Sequence, residues 1–161
     1  MNTGEYFAQC LEPEMPKFVR VLRAVPPGEL AYRPHPRSTC ARDLAWLLAS
    51  ELGDACELVD RSEVNYVPTP APATIEESVA AYARNAGALA ARVAKMDDEA
   101  WEGKARFLVD GNLAWETRLG DMLWGFLFDA IHHRGQLSAY LRPMGARVPS
   151  IYGPSGDDPG M

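Results

Sequence analysis

Between residues 75 and 96 the apolar residues Ile75, Val79, Tyr82, Ala86, Leu89, Val93 and Met96 recur every three or four positions. A strand would alternate apolar and polar residues with period two, so this stretch can bury only one stripe of a helix. It opens at Thr74-Ile75-Glu76-Glu77, where Thr74 and Glu77 are spaced to form a capping box over the first free amides. A helix with a single apolar stripe needs partners of the same period to cover it.

Three other segments supply such stripes. Residues 3–23 carry Phe7, Leu11, Phe18 and Leu22, with Pro13 and Pro16 predicting a kink or a late start. Pro26-Pro27-Gly28 then breaks the chain, and Tyr32-Arg33-Pro34-His35-Pro36 reads as an extended connector. A second helix is predicted from Ser38 or Thr39, either able to cap it, to about Ser62. Its seam is Leu44, Leu48, Glu51, Ala55 and Leu58, which puts a carboxylate on the face that should be buried. The proline-rich run 67–73 is a stiff linker to the third helix. Helical spacing lapses from residue 97 to 116, where 105–109 and Asp110-Gly111 predict a short strand and turn. A fourth helix is expected from Thr117 to about Pro143, stopped near Gly145, with the seam Leu119, Leu123, Phe126, Ala130, His133, Leu137 and Tyr140. The tail from Ala146 should be irregular. The pattern predicts one all-α domain over residues 1–161, a four-helix bundle in which the long break before the last helix leaves room for a crossover.

Composition narrows the function. With 161 residues the chain can bury a core without staples. A net charge of −6 argues against a phosphate-binding surface, so no nucleic-acid partner is expected. No apolar run approaches the ~20 residues that span a bilayer, and the N-terminal residues lack the basic flank of a secretory signal. Cys10, Cys40 and Cys56 are odd in number and form no CxxC pair. They read as reduced, mostly buried thiols of a cytoplasmic protein, with Cys40 near a helix start as a weaker candidate for an activated thiol.

The chemistry concentrates on the fourth helix. His133 takes a seam position where the pattern calls for leucine, and Asp129 precedes it by one turn on the same side. Such a pair can hold one metal ion, or the carboxylate can fix the imidazole tautomer as a purely structural pair. Glu51, inward on the second helix, would complete a set of one histidine and two carboxylates suited to zinc, nickel, iron or manganese. It could equally snorkel to the end of the bundle. His132 points elsewhere on the helix and, with Arg134, reads as a surface or interface residue, while His35 could reach a site mouth from its connector. Trp46, Trp101, Trp115 and Trp124 read as core or interface anchors. No Gly-rich phosphate loop, nucleophile elbow, HExxH or paired Glu-x-x-His motif is present.

The run Phe128-Asp129-Ala130-Ile131-His132-His133-Arg134-Gly135-Gln136-Leu137, with Tyr140-Leu141-Arg142 after it, resembles the last-helix signature of the DinB-like superfamily. The tail 148–155, Arg33-Pro34-His35-Pro36 and Leu44-Ala45-Trp46 are similar to the same family, so the resemblance spans nearly the whole chain. The family takes its name from damage-inducible bacterial proteins, which associates it with stress responses. The resemblance implies a four-helix bundle, a homodimer, and a divalent metal held by three histidines. Some relatives are thiol-dependent transferases or isomerases that use low-molecular-weight thiols. The matching positions here are His133, which keeps its histidine, Asp129, a carboxylate in place of the first histidine of the last-helix pair, and Leu47, which cannot ligate. Glu51, one turn beyond Leu47, is the nearby substitute.

Three readings follow from these residues. An altered metal site at Glu51, Asp129 and His133 would make the protein an enzyme of thiol-transfer or hydrolytic type. Without metal, the bundle pocket would bind a small molecule. With its core filled, the chain would act as a dimeric structural or regulatory protein.

Overall fold

The structure, a computed structural model, describes residues 2–160. Asn2 opens α1 (Thr3–Leu11) through a capping box with Glu5. The kink expected at Pro13 and Pro16 is a full break. The chain turns after Leu11 and resumes as α2 (Met15–Arg23), with Pro16 in the first turn, where no helical partner awaits its missing amide. The second predicted helix is α3 (Ala41–Arg61), which starts later than expected because Cys40, not Ser38 or Thr39, takes the N-cap. It ends at Ser62, whose φ of 55° lies in the left-handed region. The third is α4 (Ile75–Val93), and Thr74 and Glu77 form their capping box in both directions. After a short α5 (Asp98–Glu102), the last helix is α6 (Leu119–Leu141), which starts after Thr117 because residues up to Arg118 are still paired as a strand. No described helix is long and apolar enough to cross a membrane.

The all-α expectation needs correcting: the fold is mostly helical but carries a three-stranded sheet. Strand β1 (Glu63–Tyr66) pairs in parallel with β2 (Lys104–Val109), and β2 pairs antiparallel with β3 (Asn112–Arg118). The predicted Asp110-Gly111 turn closes the hairpin with φ of 50° and 78°, the doubly positive geometry that matches strand twist in a two-residue loop. Asn65 Oδ1 accepts from the Gly111 amide at 2.9 Å and ties β1 to that turn. β1 was illegible because only Val64 in it is buried, and β3 because it is exposed along almost its whole length. Neither offers an alternating pattern.

The helical stripes meet in one core. Phe18 of α2 stacks on Tyr82 of α4 at 5.1 Å, and Phe7 of α1 meets Trp124 of α6 edge-on at 4.9 Å. Trp101 of α5 lies buried directly over Gly120, where a Cβ would come within 2.1 Å of the indole nitrogen.

The inward face of α6 differs from the predicted seam in its details. Leu123, Leu127, Ala130, Arg134, Leu137 and Leu141 are buried, while Phe126, His133 and Tyr140 are half-buried along its edge. Arg134, expected at the surface with His132, is only 1% exposed, whereas His132 is exposed. Its guanidinium donates to Glu14 at 2.6 Å and to the Tyr152 hydroxyl at 2.6 Å, and lies 4.5 Å from the Phe18 ring centroid. Tyr152 in turn donates to Glu14 at 2.8 Å. Burial raises the Glu14 pKa, but the hydrogen bonds from Lys17, Arg134 and Tyr152 outweigh it and hold the carboxyl below its usual range. The tail beyond Ala146 has no regular structure, yet it is pinned: Asp157 accepts from Arg142 and from the Val148 amide, and Asp158 from the Ser150 amide.

Candidate metal centre

Glu51 projects from α3 at the edge of its buried face, and α6 packs alongside with Asp129 and His133 on the facing edge. One ligand atom from each of the three lies within 4.8 Å of the others. His133 Nε2 is 3.2 Å from Asp129 Oδ2, with the histidine side chain 21% and the aspartate 55% exposed, so Asp129 forms the rim and His133 the wall.

The hydrogen bonds around His133 define what it presents. Gln136 Nε2 lies 3.0 Å from His132 Nε2, and the Gln136 amide oxygen lies 2.9 Å from His133 Nδ1. An amide whose NH2 group donates to His132 turns its oxygen to His133, which then donates from Nδ1. A His133 ring that donates only from Nδ1 carries its lone pair on Nε2, 3.2 Å from Asp129 Oδ2, where a cation would relieve the repulsion between the two acceptors. Glu51 adds a further acceptor. Its Oε2 is sealed from solvent without a hydrogen-bond partner, although the residue as a whole is half-buried. Burial, then the neighbouring Asp129 carboxylate, then the charge of Asp54 push the Glu51 carboxyl up to about 8.

Two carboxyl groups and an imidazole converge, and without a cation the Glu51 carboxyl keeps the proton that lets it sit beside Asp129. An orphaned buried oxygen beside such acceptors fits a divalent cation, and the mixed oxygen and nitrogen set suits zinc, manganese, iron or nickel. Leu47, one turn before Glu51, lines the same space with an apolar side chain and offers no ligand.

The cluster opens on a cavity of about 590 Å³ between α3, α6 and the sheet. Tyr66, Phe107, Val109, Trp115 and Phe126 give it an apolar wall, and Asp54 joins Glu51 and Asp129 as its acidic side. Burial, then the charge of Glu57, raise the Asp54 carboxyl to about 6. Trp115 reaches the cavity by lying on Gly125, where a Cβ would come within 2.7 Å of the indole. The tryptophan read as an anchor is thus part of the cavity wall. Trp101 is in the core, Trp46 bonds Thr69 at 2.9 Å, and Trp124 belongs to an aromatic cluster with Phe7 and Phe128.

Asp54 was missed in the sequence, although its place one turn after Glu51 was a usable signal. The wall from β1 and β2 had none, because it depends on the sheet. His35 stays in its connector, accepts from the Arg37 amide at 3.1 Å, and is not among the cavity-lining residues. Cys40 is buried, burial pushes the Cys56 thiol up, and Cys10, Cys40 and Cys56 are all free.

The sequence model of the DinB family matches residues 2–159. The chain belongs to the DinB family. Its fold is similar to that of a DinB-like protein from Bacillus cereus ATCC 10987, with a TM-score of 0.73 at 16% identity over 91% of this chain and 95% of that one. It is also similar to the DinB-like protein YjoA from Bacillus subtilis, with a TM-score of 0.68 at 13% identity over 86% and 91% of the two chains. At such identities the likeness concerns the fold. No curated protein sequence matches the chain significantly.

Proposed function

We propose that this DinB family protein holds one divalent cation at Glu51, Asp129 and His133 and is an enzyme of thiol-transfer or hydrolytic type. The observation that carries this reading is the orphaned, buried Glu51 Oε2 beside two further ligand atoms, all within 4.8 Å. A divalent ion there would supply Lewis acidity toward a water or a low-molecular-weight thiol. Gln136 holds His133 in the tautomer that leaves Nε2 free, and Glu51 and Asp129 supply the negative charge. The apolar wall receives the body of a substrate. The free cysteines accord with a reducing, cytoplasmic location, which belongs to the same proposal.

Leu47 favours a second reading, in which the cavity binds a small molecule without turnover, because it removes a donor and adds apolar wall. Elemental analysis of untagged protein purified without chelator, beside His133→Ala and Glu51→Ala, separates the two. The first reading expects near-stoichiometric metal that both variants lose. Protein that stays metal-free after loading with zinc, nickel and manganese would overturn it in favour of the second.

A further inference from the structure

The cavity has a charge imbalance that the three-ligand cluster does not use up. Glu51, Asp54 and Asp129 line it, and no lysine or arginine does. Asp54 stands apart from the cluster and has no hydrogen bond or ion pair among the described residues, so its charge faces the cavity uncompensated. A divalent ion at the cluster would offset two of three carboxylate charges and leave that of Asp54. The aromatic rings of Tyr66, Phe107, Trp115 and Phe126 line the same cavity, with Phe107 and Phe126 meeting edge-to-face at 5.8 Å. Ring faces attract cations, and a carboxylate in the same apolar-walled cavity adds to that attraction.

We propose that the cavity selects an organic cation, an aromatic or aliphatic ammonium compound whose apolar body lies on the Phe107–Trp115–Phe126 wall while its charged nitrogen faces Asp54. The inference rests on reading this cavity as the substrate pocket, and Asp54 lines it outside the ligand cluster with or without the metal.

The test titrates benzyltrimethylammonium, benzyl alcohol and phenylacetate into the protein as purified, following tryptophan fluorescence and calorimetry, with metal content measured on the same sample. The quaternary probe can neither ligate a metal nor lose a proton. The ammonium compound is expected to bind saturably, at least about tenfold tighter than the neutral and anionic probes. Asp54→Asn should erase that preference while benzyl alcohol binding persists, and Leu47→Trp, which puts a larger ring into the cavity, should weaken binding of all three. Phenylacetate binding as tightly as the cation, an unchanged preference in Asp54→Asn, or no saturable binding would each overturn the proposal. A metal-bearing sample that ignores the cation sinks this inference alone, and a metal-free sample that binds it sinks only the metal reading.

Discussion

His133 Nδ1 lies 2.9 Å from the amide oxygen of Gln136, three residues further along the same helix. That bond decides which imidazole nitrogen is free, since a neutral ring that donates from Nδ1 can ligate only through Nε2. Gln136→Leu should therefore weaken zinc binding about 10- to 100-fold, the usual cost of removing an outer partner of a metal-ligating histidine. Competition against a chromophoric chelator measures it. Unchanged affinity would show that the glutamine does not orient the ring.

The buried carboxyls give the metal-free protein a definite pH dependence. Glu51 titrates near 8 in the folded chain against 4.5 ordinarily, so the folded state holds the proton more tightly. Its stabilising contribution is complete below about 4.5 and is lost as pH rises toward 8. Asp54, raised from 3.8 to about 6, acts in the same direction at lower pH. Denaturant unfolding in the presence of chelator should show stability falling from pH 5 to pH 8. Glu51→Gln should remove most of that slope and gain about 1–3 kcal/mol at pH 8. The wild-type slope persisting in the variant would refute the assignment.

Two glycines of α6 face indole rings but should respond differently to alanine. At Gly120 the ring belongs to buried Trp101, which has nowhere to go, so Gly120→Ala should cost about 1–3 kcal/mol. At Gly125 the contact is the far end of the part-exposed Trp115 ring, which can swing away. Gly125→Ala should stay within about 1 kcal/mol of the parent, helped by helix propensity, while the ring leaves the cavity wall. Thermal melts with tryptophan emission spectra distinguish the two outcomes, and equal destabilisation would contradict the described ring positions.

Removing Arg134 should be far more damaging than a surface arginine would suggest. Arg134→Met leaves the Glu14 carboxylate buried beside Tyr152 with only Lys17 to answer it, which should cost about 3 kcal/mol. Adding Glu14→Gln should recover a large part of the loss. Calorimetric melting of the single and double variants tests this, and a fully additive double variant would mean that the pair is not coupled.

Association into a homodimer, expected from the resemblance, has a surface to use. Tyr6 is 50% and Phe128 is 62% exposed, and both contact the half-buried Trp124 ring, which makes a continuous aromatic patch from α1 and α6. Sedimentation at micromolar concentration should find a dimer, and Phe128→Glu a monomer. A monomeric parent protein would refute the expectation.

The legible parts of this protein were those set by local spacing. The stripe of α4, its capping box and the Asp110-Gly111 turn follow from neighbours a few residues apart, and so does the alignment of Asp129 with His133. Glu51 was visible as a carboxylate among leucines. Long-range pairing was not legible. Arg134 occupies a buried position in the helical repeat, but charge argued against burying it, and its partners lie 120 residues before it and 18 after it. Strand β1 became a strand only because β2 returned beside it. The aromatic wall of the cavity inherits that dependence.

Apart from Phe126, which α6 carries beside the ligands, the two sides of the cavity come from separable parts of the chain. The ligand atoms are carried by α3 and α6, whose positions are set by the core. Phe107, Val109 and Trp115 are carried by a hairpin with its own turn, anchored at that turn by Asn65. A change in the hairpin sequence can therefore redraw what the cavity accepts while the donor set stays in register, and a change at Leu47 or Asp129 can alter the donors while the wall stays put. Such a division lets one scaffold diversify its ligands and its chemistry by independent steps, and it marks residues 104–118 as the segment to exchange when engineering new specificity.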